Sequence, residues 1–191
     1  MNKLIIDDGW ILFEEEFYTQ KESEDLYVNL LETLNWNQGE IVLFGKKYLT
    51  PRLEAFYADK NLNYSYSGQQ LVKQDFNSIL LKIKNKLEEK SGFTFNSVLA
   101  NYYRDGSDSN GWHADNEKEL GKNPLIASLS FGTERRFDMK HMNSNKRLKI
   151  ALKSGSLLIM GGEIQHHWKH QIAKSKRINS GRINLTFRTI L

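Results

Sequence analysis

The chain has five histidines and no cysteine, so any metal it holds must be bound through nitrogen and oxygen. One histidine lies in the run GWHADNE, which sets His113 two residues before Asp115. Side chains on an extended strand alternate between faces, so these two project to the same side and can share one ion. A third ligand has to come from His141, His166, His167 or His170, the last three of which fall within HHWKH. Two histidines and a carboxylate on one face leave coordination positions open, as non-heme ferrous oxygenases require for co-substrate and dioxygen. Zinc hydrolysis uses the same ligand types but leaves a second feature without a purpose. In GRINLTFRTIL, Arg182, Asn184, Thr186 and Arg188 alternate with Ile183, Leu185 and Phe187. Such a polar face ordinarily meets solvent, whereas in a small barrel it can point inward at a charged ligand. Two inward arginines would give the carboxylates of 2-oxoglutarate planar, bidentate donors. Asn101 and Tyr103, two apart in NYY, could add neutral hydrogen bonds to the same pocket.

Positioning these groups demands a sheet-rich frame. In KESEDLYVNLLETL, Leu26, Leu30 and Leu34 recur at helical spacing, which predicts a helix over 21–34. Phe76, Ile79, Ile83 and Leu87 predict a second over 70–90, with Gly92 as its stop. The intervening segment, broken by Gly45, Pro51 and Gly68, suggests short strands and turns. From residue 93 onward FTFNSVLANYY, PLIASLSFGTERRFDMKH, RLKIALKSGSLLIMGG and GRINLTFRTIL succeed one another without an intervening helix, as in an antiparallel sandwich or barrel. At 191 residues the chain can bury a core of its own. No apolar run is long enough to span a bilayer and the start lacks a signal-peptide core, so the expected location is the cytoplasm and no membrane partner is expected. The formal charge is +4, and the acids crowd the first 25 residues while Lys and Arg alone follow Glu163. Such asymmetry would draw a polyanion to one side.

Taken together, NYYRDGSDSNGWHADNE, HHWKH and RINLTFR resemble the AlkB family of Fe(II)/2-oxoglutarate dioxygenases, whose pattern runs NxY, HxD, a later His and RxNxTxR. The likeness covers roughly residues 41–191. It implies an α+β, mainly β fold: a double-stranded β-helix, or jelly-roll, core with N-terminal helices and a nucleotide-recognition lid. Residues 1–92 would be the N-terminal extension with that lid and residues 93–191 the dioxygenase core, in one compact unit. The same likeness makes His113, Asp115 and His170 the iron ligands, His170 being taken over His166 and His167 from where the family's third ligand stands before RxNxTxR. Asn101, Tyr103, Arg182, Asn184, Thr186 and Arg188 would hold 2-oxoglutarate. FGKKYLTPR and NLNYSYSG are similar to the recognition segments of the branch that repairs double-stranded DNA. By that similarity Phe44 is a finger that enters the duplex, Arg52 contacts backbone near the lesion, Tyr66 stacks on the flipped base, Tyr64 lines the pocket, and Asn116 and Glu117 meet the base edge. Ala173, Gly181 and Lys169 depart from frequent family residues, and none of them belongs to the iron or co-substrate set. The implied activity is oxidative demethylation of 1-methyladenine and 3-methylcytosine in alkylated double-stranded DNA by a monomer, with release of succinate, CO2 and formaldehyde. The alternatives are a dioxygenase for RNA or single-stranded DNA and a non-catalytic jelly-roll module that binds nucleic acid.

Overall fold

The structure, a computed structural model, describes residues 1–43, 45–62 and 72–191. Among them, strands β1 (Asn2–Ile6) and β2 (Gly9–Glu14) form a hairpin, followed by helix α1 (Gln20–Thr33). Strands β3 (Glu40–Leu43), β4 (Lys46–Leu49), β5 (Leu53–Ala58) and β6 (Lys73–Asp75) precede helix α2 (Ser78–Ser91). Then come β7 (Ser97–Tyr103), β8 (Asn110–His113), β9 (Ile126–Gly132), β10 (Arg135–His141), β11 (Arg147–Leu152) and β12 (Leu157–Gly162). The chain ends with the short helix α3 (Ile164–His167), β13 (Trp168–Ile172) and β14 (Arg182–Arg188).

Eight strands make a major sheet in the order β1-β2-β12-β9-β14-β7-β5-β6, and four make a minor sheet, β11-β10-β13-β8. The remaining pair, β3 and β4, stands apart as a hairpin. The two sheets of this jelly roll enclose one apolar cluster: Leu99, Ile126, Leu158 and Met160 from the major sheet meet Phe137, Met139, Trp168 and Ile172 from the minor one. A second cluster fills the other side of the major sheet, where Leu30 of α1 and Leu80, Ile83 and Leu87 of α2 pack on Val98, Leu129, Ile159 and Leu185. The major sheet is thus buried on both faces at its centre.

Local chemistry accounts for the helices. Thr19 caps α1 in a reciprocal capping box with Glu22. Asn77 accepts from the Leu80 N–H to cap α2, and Gly92 ends that helix in the left-handed region at φ 75°. The cap at Asn77 corrects the helix expected over 70–90. The helix begins at Ser78, and Lys73–Asp75 instead pairs in parallel with Phe56–Ala58 as an edge strand. Each of the long expected segments PLIASLSFGTERRFDMKH and RLKIALKSGSLLIMGG divides into two strands, turning at Gly132 (φ 85°) and Gly155 (φ 82°). The expectation of no helix after residue 93 is also corrected, because His166 and His167 end the turn of α3 while His170 belongs to β13.

Burial on both faces sets a clear stability contrast. Replacing Leu185, fully enclosed between sheet and helices, by Ala should cost about 2–5 kcal/mol through lost transfer energy and a residual cavity. Leu4→Ala, at a position 46% exposed on the edge strand, should stay within about 0.5 kcal/mol. Urea unfolding followed by circular dichroism measures both.

Candidate metal and co-substrate site

Strand β13 pairs with β8 so that His170 faces His113 directly across the ladder, with their ring centroids 4.3 Å apart. Asp115 follows two residues on, its Oδ1 3.9 Å from the His113 Nε2. One ligand atom from each of His113, Asp115 and His170 lies within 4.8 Å of the others. The structure therefore brings the three expected residues together. It takes the other histidines elsewhere: His166 contacts the Lys122 carbonyl, His141 the Asp8 carboxylate, and His167 lies by Glu163.

Hydrogen bonds preset the donors. Nδ1 of His113 is 2.7 Å from the Gly111 carbonyl, which can only accept, so Nδ1 carries the proton. That leaves the Nε2 lone pair for a cation, and in the structure Asn110 Nδ2 donates to it at 3.1 Å. The Asp115 N–H donates to Gln165 Oε1 at 2.9 Å, tying the loop after β8 to the buried start of α3. His170 is buried against the Phe137 ring, with its Nδ1 lacking a hydrogen-bond partner among the described residues.

Charge is set as firmly as position. Burial would raise the Asp115 pKa, but Arg188, whose Nη2 lies 3.0 Å from Oδ2, and then the two histidines outweigh it and hold the group at about 2. Burial and the neighbouring His113 push His170 down to about 3, with Asp115 opposing. The site is thus a permanent carboxylate beside a neutral imidazole, the protonation states a metal requires.

These groups open into a cavity of about 240 Å³, lined also by Asn101, Tyr103, Glu117, Arg182, Asn184, Thr186 and Arg188. All six expected co-substrate residues therefore share one space with the histidine and aspartate groups. Arg182 is buried and donates from Nη2 to Ser130 Oγ at 2.9 Å, while its Nε and Nη1 meet no hydrogen-bond acceptor among the described residues. Burial lowers its pKa to about 10, Tyr103 opposing and Arg135 adding to the shift. The guanidiniums of Arg182 and Arg135 flank the Tyr103 ring at 5.4 and 5.6 Å from its centroid. Asn184 Nδ2 donates to Ser128 Oγ and to the Leu129 carbonyl, and the Thr186 hydroxyl donates to Asn184 Oδ1. A carboxylate entering beside Arg182 would supply the acceptors its two remaining donors lack.

Among the expected substrate-contacting residues, Glu117 and Arg52 line the cavity, whereas Asn116 is exposed and outside its lining. Arg52 turns inward, its Nε donating to Asn101 Oδ1 at 2.8 Å and its Nη2 to Glu54 Oε1 at 2.7 Å. Phe44, Tyr64 and Tyr66 lie outside the described residues. Several contributors escape local sequence reading: Glu54, Asn110, Gln165 and Arg135 carry no spacing signal. Ser128 and Ser130 did leave one, a polar alternation in the otherwise apolar IASLSFG.

The jelly roll and its nitrogen and oxygen donor set define a class of protein, and the comparisons with known proteins agree. The chain belongs to the 2OG-Fe(II) oxygenase superfamily, whose family model matches residues 11–188; the co-substrate and metal of that family are 2-oxoglutarate and Fe(II). Within it the chain is AlkB-like. It is 39% identical to the Bos taurus alpha-ketoglutarate-dependent dioxygenase alkB homolog 3 over 91% of this chain and 64% of that protein. It is 35% identical to the Mus musculus DNA oxidative demethylase ALKBH2 over 91% of this chain and 77% of the relative. The solved structure of OsALKBH1 superposes with a TM-score of 0.67 over 97% of this chain and 100% of that one, at 19% identity, a likeness of fold. The chain thus spans less than two thirds of the length of the alkB homolog 3 proteins it matches.

Replacing His113, Asp115 or His170 by Ala should abolish 2-oxoglutarate-dependent turnover and leave the far-ultraviolet circular dichroism unchanged. His166→Ala should retain most of the activity. Parallel measurement of turnover and spectra over the four variants checks the assignment.

Proposed function

We propose that this chain oxidatively demethylates alkylated bases of DNA, 1-methyladenine and 3-methylcytosine above all, with Fe(II), 2-oxoglutarate and dioxygen. The observation that carries the reading is the shared cavity. A His-Asp-His set and a buried arginine with two unsatisfied nitrogens face one space, which suits a metal at one side and a carboxylate at the other. The relatives named as a DNA oxidative demethylase support the substrate class.

In this reading His113, Asp115 and His170 hold the iron, and Arg182, Arg188, Asn101, Tyr103, Asn184 and Thr186 form the 2-oxoglutarate pocket. Bound iron and 2-oxoglutarate supply the oxidation of a methyl carbon on a base nitrogen, after which the hydroxymethyl group leaves as formaldehyde, with succinate and CO2 as co-products. The protein's own part is positional and electrostatic. Gly111 orients His113, Gln165 holds the Asp115 backbone, and Arg188 keeps the Asp115 carboxylate ionised. Arg182 aims two donors where a carboxylate can take both, fixing the co-substrate's direction. Glu117 on the cavity wall puts a carboxylate where a cationic methylated base would enter. A duplex hides the Watson–Crick edge of such a base, so the base must leave the stack. From the sequence likeness, Phe44 fills the gap left behind and Tyr64 and Tyr66 hold the extruded base.

The test is mass spectrometry of methylated oligonucleotides incubated with iron-loaded protein, 2-oxoglutarate and oxygen, in matched single-stranded and duplex forms. Loss of one methyl group is expected, and an unchanged mass across lesions and strand forms would sink the reading. Arg182→Lys and Arg188→Lys should each raise the 2-oxoglutarate requirement at least about tenfold, since the charge survives but the planar fork does not. Phe44→Ala should depress duplex turnover by a factor matching a few kcal/mol of unstacking while single-stranded turnover falls only a few-fold. Equal losses would transfer the assignment to single-stranded substrates.

A further inference from the structure

A second group of metal-binding side chains lies outside the cavity, contributed by three parts of the fold. Asp8 stands in the β1–β2 turn, His141 at the end of β10, and His167 at the end of α3. The Asp8 Oδ2 is 2.7 Å from the His141 Nε2, and one ligand atom of each residue lies within 4.8 Å of the others. The two imidazoles are nearly parallel, 10° apart with centroids separated by 6.1 Å. Glu163 adds a second carboxylate, its Oε2 3.5 Å from the His167 Nε2, too long for a good hydrogen bond. We propose that Asp8, His141 and His167 form a second metal site, for a divalent cation of the zinc class.

The frame is in place without the ion. The Glu163 N–H donates to the Asp8 carbonyl at 2.7 Å, the Trp168 indole N–H to the Asp7 carbonyl at 2.9 Å, and the Met142 N–H to the His167 carbonyl at 2.8 Å. His141 is held further by the Trp168 ring, edge to face at 5.2 Å. Lys146, the nearby cation, is engaged by Asp7 and leaves the Asp8 carboxylate to the histidines. Ligands at about 2.0–2.1 Å in a tetrahedron stand roughly 3.3 Å apart, so the Asp8–His141 pair would open by roughly half an ångström and the more distant ligand atoms would close by up to about 1.5 Å. Two imidazoles with carboxylates and no thiolate suit Zn(II) and Co(II), whereas Mg(II) and Ca(II) take oxygen ligands. Binding at Nε2 of His141 moves the single ring proton, now shared with Asp8, to Nδ1. The exposed 3.2 Å contact from the Asn143 N–H to that atom gives way. The ion would clamp the N-terminal hairpin to the minor sheet and to α3, the turn that leads into the strand carrying His170.

Equilibrium dialysis of the metal-stripped full chain against Co(II) and Zn(II), with elemental analysis, should find two equivalents in the wild type. One should remain in Asp8→Asn, in His167→Gln and in His113→Ala. Asn tolerates the left-handed conformation of Asp8 (φ 61°), so that variant keeps the turn. Zinc at about a hundred times its Kd should raise the Tm of His113→Ala by about 5–10 °C, and this shift should vanish when Asp8→Asn is added. A single wild-type equivalent that His113→Ala removes would overturn the proposal. So would a zinc-induced shift that survives both Asp8→Asn and His167→Gln. Equal destabilisation by Asp8→Asn with and without zinc would reduce the group to a hydrogen-bonded ion pair and overturn it as well.

Discussion

A guanidinium buried in a protein interior needs a partner for its charge and for its N–H groups, and strand β14 buries two of them. Because β14 lies near the middle of the major sheet, with helices packed on one face and the minor sheet across the other, neither face of it can turn to solvent. Helices α1 and α2 cover the face bearing Ile183, Leu185 and Phe187, so Arg182, Asn184, Thr186 and Arg188 must look into the space between the sheets. The arginines meet the same constraint differently. Arg188 has the Asp115 carboxylate at 3.0 Å, whereas Arg182 has a serine hydroxyl and a tyrosine ring but no carboxylate in ion-pairing contact among the described residues. The end of the cavity at Arg182 is therefore where an added anion gains most.

The Arg188–Asp115 contact also joins the two sheets. Arg188 rises from the major sheet, while Asp115 follows β8 of the minor one, so the ion pair ties the polar face of β14 to the His-Asp-His group. On the minor sheet, the ladder register of β8 and β13 sets His113 opposite His170 through backbone hydrogen bonds. Gln165 then reaches the Asp115 N–H from α3. Position thus comes from backbone pairing, the Asp115 charge from Arg188 against burial, and the neutrality of His170 from burial, so the donor set is preorganised before any ion arrives.

What was legible in the sequence follows from what local periodicity encodes. Alternation placed His113 with Asp115 and separated the two faces of GRINLTFRTIL, and leucine spacing located α1. Alternation does not say which distant strand pairs with which. The β1–β2 hairpin joining the major sheet through β12 was therefore hidden. Gln165 and Asn110 were invisible for the same reason, since their roles exist only once α3, β8 and the loop to Asp115 converge. The third histidine lay between the two cases. Residue types allowed four candidates, family likeness selected His170, and the structure places that residue beside His113 through strand pairing.

Arg52 shows how a buried partner redefines a residue. Glu54 is almost wholly buried, and Arg52 and the Thr50 hydroxyl are the partners of its carboxylate. Swinging Arg52 outward to grip a phosphate would break the 2.7 Å pair and strand a carboxylate in the interior, at a cost of several kcal/mol. One exposed phosphate contact yields less than that. The same guanidinium also orients Asn101 through its Oδ1, leaving the amide N–H groups of Asn101 to face the cavity partners. In the structure Arg52 is therefore part of the cavity wall, joining the segment before β5 to Asn101.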